Sequence, residues 1–439
     1  MMSLLLCLCA CGKTPAASSA DDPSAAESTA PAESGTTTDA DAAQTTDGSS
    51  LPGTTQGRTE GSSSANTTAK TAADGTKTTR PTSPATTSGQ KDPQNSVKVV
   101  KSLQNSAYKL AKEKKLTIGY IGGSVTVGVG SSDQNTRSWR ALTTKWLKDT
   151  YPSASITEAN AAISGTGSLL GAGRIMNELV EPYHPDLIFV EFAVNDRYQG
   201  YTYDQSERYW ESLVRMVLAV DPYTDIVFVL TTDRQLCGMD SDATLAAKAV
   251  AERYGLYVAN VGKTLAERKS DAFASGGKYF SDFVHPADPG HAKYAEYVTE
   301  LLASELKIGA RTAHAVPSAG RSDLFKKATF ISVADLVAAN PGMGRPSGDT
   351  QTSDGALDLS GGDALTVKFS GTALAIRWKT TDGVDVSLRM DGKRSALPVG
   401  NPDGAQQLLY EGLAGGSHTL KIVDMGGSKC RINGLYVFE

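Results

Sequence analysis

The chain has 439 residues, of which 40% are hydrophobic and 21% charged, and its formal net charge is −5. This length is enough for two folded domains of ordinary size. The acidic balance argues against nucleic acid as a partner, because nucleic-acid-binding domains carry basic surfaces that neutralise phosphate.

The chain begins with an apolar run that resembles a bacterial lipoprotein signal. Residues 1–12, MMSLLLCLCACG, contain at positions 8–11 a Leu-Cys-Ala-Cys sequence similar to a lipobox, in which Cys11 would be lipidated. No Lys or Arg precedes the run, so we expect the true start to lie upstream of Met1. An N terminus with no targeting role is the alternative. Because no later run approaches the roughly 18 apolar residues of a spanning helix, we expect membrane association only through lipid at Cys11, on the extracellular surface.

Residues 13–94 are rich in Ser, Thr, Ala, Gly and Pro. Leu51 is the only large aliphatic residue of this segment, and the first aromatic residue of the chain is Tyr108. Such a composition buries too little apolar surface to offset the conformational entropy of folding. We therefore predict a disordered linker between the N terminus and the first folded domain.

Residues 95–308 alternate short apolar runs with amphipathic stretches. The predicted strands are Thr117–Ile121, Ser155–Asn160, Asp186–Phe192, Asp225–Leu230 and Leu256–Ala259. The predicted helices are Ser96–Lys112, Arg137–Thr150, Leu169–Val180, Asp204–Val220, Asp242–Tyr254 and Pro289–Leu306. Apolar strands separated by amphipathic helices predict a parallel sheet that is covered on both faces.

Four short blocks place chemically useful residues along this alternation. They are Gly122-Gly123-Ser124, Ser164-Gly165, Val194-Asn195-Asp196 and Asp282-Phe283-Val284-His285. Ser124, Gly165 and Asn195 follow the first three strands, whose ends meet at one edge of a parallel sheet. Asp282 can hold the His285 imidazole as a general base for Ser124. The Gly165 N–H and the Asn195 amide can donate to an oxyanion. Each block alone is common in turns and caps, but the four in this order predict a serine hydrolase.

With these blocks, the segment from about Leu116 to about Leu306 resembles the SGNH/GDSL hydrolase superfamily, whose blocks carry Ser, Gly, Asn and His. The first block is Gly-Gly-Ser-Val instead of Gly-Asp-Ser-Leu, a variant similar to the carbohydrate (acetyl) esterase-like branch. The resemblance implies a flavodoxin-like three-layer α/β/α fold with a five-stranded parallel sheet in the order 2-1-3-4-5. It also implies catalysis that needs no metal or cofactor.

After a break at residues 307–321 the pattern changes. Residues 322–439 contain short segments with period-two alternation and no helix-length pattern, which predicts an all-β sandwich. Residues 411–423 resemble the jelly-roll domains attached to acetyl-xylan and related esterases, although those usually precede the hydrolase domain. Trp378 could stack on a sugar, but its parity with Leu374 and Ile376 favours a core position. If this domain is an independent module, residues 94–306 alone should fold and hydrolyse a small acetyl ester.

The remaining Cys and His residues are predicted to be structural. Cys237 and Cys430 lie in different predicted domains, so we expect two buried thiols instead of a disulfide. No Cys or His cluster has metal-ligand spacing. Only His285 has an acid placed to serve it, and structural roles are expected for the other histidines, His184, His291, His314 and His418.

Together these features predict a secreted, lipid-anchored serine esterase that removes acetyl groups from a polysaccharide. Xylan, a cell-wall glycan and an exopolysaccharide are the candidate substrates. Two alternatives remain: a lipase or thioesterase for longer acyl chains, which would use the same blocks, and a non-catalytic glycan-binding surface protein. The sequence carries no indication of an oligomeric state.

Overall fold

A computed structural model describes residues 99–343, 355–359, 361–380, 386–395, 406–425 and 430–439. The predicted signal at residues 1–12 with Cys11, and the predicted linker at residues 13–94, lie outside the described residues. Two parts of the described chain are distinguished below: the α/β region, residues 99–306, and the β region, residues 322–439.

The α/β region is built on a five-stranded parallel sheet. Its strands are β1 (Lys115–Gly122), β2 (Ser155–Asn160), β3 (Leu187–Glu191), β4 (Asp225–Val229) and β5 (Tyr257–Ala259). Their spatial order is β2-β1-β3-β4-β5, which confirms the predicted flavodoxin-like arrangement. The order reverses at β1, so the crevice at the carboxyl ends of β1 and β3 is the usual position for a ligand site in such sheets.

Helices cover both faces of this sheet. They are α1 (Gln104–Tyr108), α2 (Ser124–Val127), α3 (Trp139–Thr150), α4 (Ser168–Ile175), α5 (Glu181–Tyr183), α6 (Ala193–Tyr198), α7 (Tyr203–Val220), α8 (Asp242–Tyr254), α9 (Val261–Arg268) and α10 (Asp288–Glu305). One hydrophobic cluster joins the sheet to α4, α7 and α8, and a second joins it to α3, α9 and α10. Among the described residues, no helix has the length and apolar content needed to cross a membrane.

Two helix predictions need correction. The helix predicted at Ser96–Lys112 begins only at Gln104, where the Ser102 hydroxyl accepts a hydrogen bond from the Gln104 N–H and forms a local turn. It continues as a π-helical segment, Lys109–Glu113. The helix predicted at Leu169–Val180 is α-helical only to Ile175 and then π-helical over Met176–Val180.

The β region consists mainly of antiparallel strands. They are β6 (Ala328–Ile331), β7 (Leu357–Leu359), β8 (Ala364–Ser370), β9 (Ala373–Thr380), β10 (Val386–Met390), β11 (Lys393–Ser395), β12 (Gln406–Tyr410), β13 (Ser417–Asp424) and β14 (Cys430–Phe438). They form one sheet ordered β11-β10-β13-β8 and another ordered β12-β9-β14-β6, with β7 paired to β14. The region is not purely β, because a capping box at Ser332 and Asp335 starts a helix, α11 (Val333–Ala339). Trp378 is 1% exposed and lies in the core, as its parity predicts.

The α/β and β regions share a hydrophobic core. Phe325, Tyr436 and Phe438 belong to the same cluster as the buried faces of α4 and α7. The Phe325 and Phe438 rings stack with their centroids 4.0 Å apart. On α4, a Cβ at Gly173 would lie 2.6 Å from the Tyr436 ring, so glycine is required for this close approach. The two regions are therefore packed as one body, which weakens the expectation that the β region is an independent module.

The segment between the two regions is fastened to the α/β region. The His314 imidazole bonds Asp225 at 2.7 Å, and the Thr312 N–H donates to the Asn105 side chain at 2.9 Å. Further along, the carbonyl oxygen of Pro317 accepts a hydrogen bond from Arg215 at 2.9 Å. Hydrogen bonds thus hold residues 307–321 against the surface of the α/β region.

Candidate active site

The candidate nucleophile lies at the carboxyl end of β1. Strand β1 ends at Gly122, and the one-turn helix α2 begins at Ser124. The Gly123 N–H donates to the Glu191 carbonyl at the end of β3, 3.2 Å away. A Cβ at Gly123 would overlap the side-chain amide of Asn195. Glycine at this position therefore allows Asn195 to lie directly against the residue that precedes Ser124.

Ser124, His285 and Asp282 form a continuous hydrogen-bonded chain. The His285 Nε2 lies 2.8 Å from the Ser124 Oγ, and its Nδ1 lies 2.6 Å from the Asp282 Oδ2. A carboxylate at Nδ1 favours the tautomer that carries its proton there. In that tautomer Nε2 accepts from the Ser124 hydroxyl, as a general base must. The structure brings together the three residues predicted for this role.

The Asp282 carboxylate is held by its own loop. Partial burial opposes its ionisation, but the backbone N–H and side chain of His285 and the N–H of Val284 outweigh that effect and lower the pKa of Asp282 below its ordinary value. Both backbone N–H groups donate to Oδ1 at 2.7 Å. This leaves Oδ2 for the imidazole, so Asp282 can stabilise the imidazolium that forms when His285 takes a proton.

The predicted oxyanion residues converge on the same edge of the sheet. Asn195 lies in α6, which follows β3, and its amide contacts Gly123 as described above. Gly165 lies in the loop after β2 with φ of +74°, a left-handed conformation that favours glycine. That loop is joined to the end of β1, because the Ile163 N–H donates to the Gly122 carbonyl at 3.0 Å. The ends of β1, β2 and β3 therefore lie together at one edge of the sheet, and the role of Gly165 and Asn195 as oxyanion donors stays a prediction.

A buried carboxylate beside Asn195 was not singled out from the sequence. Asp196 accepts hydrogen bonds from the Ser168 N–H at 2.7 Å, the Ser168 hydroxyl at 2.8 Å and the Trp210 Nε1–H at 2.8 Å. Complete burial raises the pKa of Asp196 to about 7, although the hydrogen bonds from these three donors act in the opposite direction and lower it. The side chain joins α6 to the start of α4 and to the middle of α7. Its position next to Asn195 in the third block is the sequence feature that could have indicated it.

Three of the other histidines, His291, His314 and His418, have side-chain partners, whereas His184 is exposed at the end of α5. The His291 Nδ1 accepts from the Trp139 N–H at 3.3 Å, and its Nε2 donates to the Val129 carbonyl at 3.2 Å. Burial lowers the pKa of His291 to about 4, so the ring is neutral. His418 pairs with Asp391 in the β region and His314 with Asp225, so the expectation that only His285 has an acid beside it was wrong. Within the described ranges, no group of three or more His, Cys, Asp or Glu residues is arranged to hold a metal ion.

The two cysteines of the described chain are not joined by a disulfide. Cys430 is buried in the β-region core, as predicted. Cys237 is only half-buried, which corrects the expectation of a second buried thiol. Its Sγ lies 3.2 Å from the Arg234 carbonyl in the turn after β4.

Comparisons with known proteins agree with this geometry. Residues 120–293 match the model of the GDSL-like Lipase/Acylhydrolase family. Among solved structures, a two-domain esterase active on acetylated mannans, co-crystallised with mannopentaose, matches with a TM-score of 0.64 and 20% identity, over 78% of this chain and 96% of that one. A second structure of a two-domain esterase active on acetylated mannans matches with a TM-score of 0.62 and 19% identity, over 77% and 96% of the two chains. No curated protein matches the sequence. Residues 120–293 therefore form a GDSL-like lipase/acylhydrolase domain, and the chain shares the overall fold of two-domain esterases.

Proposed function

We propose that this hydrolase is a serine esterase that removes acetyl groups from a polysaccharide through an acyl-enzyme intermediate. The observation that carries the proposal is the unbroken chain from Asp282 through His285 to Ser124, with its two links of 2.6 and 2.8 Å. A hydroxyl hydrogen-bonded to an oriented imidazole is the arrangement that activates serine for attack on an ester carbonyl.

In the proposed reaction, the Ser124 Oγ attacks the acetyl carbonyl carbon while His285 takes the hydroxyl proton. The resulting oxyanion accepts hydrogen bonds from the backbone N–H groups of Ser124 and Gly165 and from the Asn195 amide. The sugar oxygen leaves with the proton from the imidazolium, and acetyl-Ser124 remains. His285 then takes a proton from water as the water oxygen attacks the acetyl carbonyl carbon. The imidazolium returns that proton to the Ser124 Oγ as the acyl–oxygen bond breaks and acetate is released.

The choice of a carbohydrate ester rests on two supports. The Gly-Gly-Ser-Val block around Ser124 resembles the carbohydrate esterase branch. The two-domain protein with the same fold is described as active on acetylated mannans. We further propose extracellular anchoring through lipid at Cys11, which would place the site where polymeric glycans are found.

Acetate release tests the substrate class. We expect the protein to release acetate from at least one of acetylated mannan, acetylated xylan and an acetylated cell-wall glycan, and to leave deacetylated samples unchanged. On p-nitrophenyl esters, kcat/KM should fall steeply from acetate to octanoate. A rate that rises with chain length would favour a lipase or thioesterase, and glycan binding without turnover of any ester would favour a non-catalytic protein.

Replacement of Asn195 tests the oxyanion site. Asn195→Ala should lower kcat for p-nitrophenyl acetate by roughly 10²–10³ with little change in KM, because an oxyanion donor acts mainly on the transition state. Asn340→Ala, which changes an asparagine of the β region that bonds Leu336 and Thr366, is the matched control. A raised KM with unchanged kcat would instead assign Asn195 to substrate binding.

A further inference from the structure

A glutamine side chain of the β region contacts the α/β region beside the candidate active site. Gln406 is the first residue of β12 and is 3% exposed. Its Oε1 accepts a hydrogen bond from the Leu170 N–H at 3.2 Å, and its Nε2 donates to the Gly165 carbonyl oxygen at 3.5 Å. One side chain therefore hydrogen-bonds both ends of the segment 165–170, which we name the oxyanion loop.

The first turn of α4 depends on such outside partners. Helix α4 starts after Gly167, which has no side chain to satisfy the first free N–H groups of the helix. Asp196 accepts from the Ser168 N–H, and Gln406 accepts from the Leu170 N–H. A Cβ at Gly167 would lie 2.5 Å from the Asp196 Oδ1 and 3.0 Å from the Gln406 Nε2, so glycine is needed for both side chains to approach. The α/β region and the β region thus each supply one cap to this helix.

The described residues leave the space beside the Gly165 Cα open. Among them, no heavy atom beyond the two chain neighbours lies within 4 Å of the position that a Cβ would occupy, and the backbone is in the left-handed region. Its carbonyl accepts from two glutamine side chains, Gln199 at 3.4 Å and Gln406 at 3.5 Å. Because the N–H and C=O directions of one residue are linked through its φ and ψ, holding the carbonyl also restricts where the N–H points. Neither bond is short, so each should contribute modestly.

We propose that Gln406 is a positioning residue, through which the β region orients the Gly165 N–H toward the developing oxyanion. This inference rests on the proposed ester hydrolysis at Ser124 and adds to it a role for the second region in catalysis. Gln406 does not touch the reacting atoms. Its loss leaves the Leu170 N–H and the Gly165 carbonyl of the oxyanion loop with one partner fewer, and a donor that is less well oriented loses part of its effect on the transition state.

The first test is Gln406→Met, which keeps the length of the side chain and removes both polar atoms. We expect kcat for p-nitrophenyl acetate to fall about tenfold, less than for loss of an oxyanion donor outright, while KM changes less than about twofold. Glu411→Gln is the matched control, since Glu411 pairs with Arg208 across the same two regions without touching the oxyanion loop. Equal losses in the two variants, or an unchanged kcat in Gln406→Met, would overturn the proposal.

A second variant, Gln199→Ala, tests the support of the same carbonyl with the β region unchanged, so it can be measured even if Gln406→Met folds poorly. Alone it should lower kcat with little change in KM, and an unchanged kcat would count against the proposal. Gln199→Ala changes a partly exposed side chain that shares the Gly165 carbonyl with Gln406. Because the two amides support one acceptor, their combined removal should lower kcat by more than the product of the single effects. Multiplicative effects would count against a shared action on Gly165. If Ser124→Ala keeps its activity, the proposed function fails; if only the glutamine variants behave like wild type, this inference fails alone.

Discussion

Ser124→Ala is expected to lower the hydrolysis of p-nitrophenyl acetate and of acetylated glycan by several orders of magnitude. The change removes the hydroxyl oxygen that forms the acyl-enzyme in the proposed mechanism, and the nucleophile and base of a triad act as a unit, so losing one member removes most of their joint effect. The Ser124 side chain is buried to 8% exposure but has a single hydroxyl to lose, so the fold should persist. The measurement is kcat/KM together with a thermal unfolding curve.

The matched control for this change is Ser304→Ala. Ser304 lies near the end of α10 and bonds the Leu301 carbonyl at 2.9 Å, far along the chain from any of the four blocks. It should keep both activity and unfolding temperature. Wild-type activity in Ser124→Ala would end the serine esterase hypothesis, because no acyl-enzyme could then lie on the reaction path.

The long elements of the α/β region could be predicted from the sequence because burial determines their pattern. Strand β2 and helix α8 begin and end at the predicted residues, Ser155–Asn160 and Asp242–Tyr254. Ser241 and Thr244 form a capping box and Gly255 adopts the left-handed conformation, so both ends of α8 are encoded locally. The short helices α2, α6 and α9 were missed, since one or two turns carry too little periodicity to detect and depend on tertiary contacts.

The catalytic residues could be predicted for a different reason. Asp282 and His285 are close in sequence, and each of the other three blocks follows a strand whose end must lie at the same sheet edge. The support around them could not be predicted in this way. Gln406 meets Leu170 across 236 positions of sequence, and a polar residue at the start of a strand usually indicates a solvent-exposed position. Its role depends on how β12 packs on α4, which only the folded chain shows.

The largest structural effect is expected from removing the β region. A chain that ends after residue 321 should be insoluble or lack a cooperative unfolding transition, and should therefore lose activity on the small ester as well as on polymer. The reason is the shared core: Phe325 stacks on Tyr209 of α7 with centroids 6.0 Å apart, and Tyr436 closes over Gly173 of α4. Burial of each large apolar side chain contributes roughly 1.5–3 kcal/mol, against a total stability of about 5–15 kcal/mol for a typical domain.

The control is the opposite truncation. Removing residues 1–94 deletes only the predicted linker and signal, so the remaining chain should stay soluble and hydrolyse p-nitrophenyl acetate at the full-length rate. Tyr436→Ala in the full-length chain is a milder form of the experiment, because it removes the contact with α4 and keeps every strand of the β region. It should lower the unfolding temperature.

A soluble chain ending at residue 321 that keeps full activity on the small ester would support the prediction of an independent module, since the α/β region would then fold without the β region. If that chain lost activity only on acetylated polymer, the β region would act in glycan capture, and the support that Gln406 gives to the oxyanion loop would be dispensable.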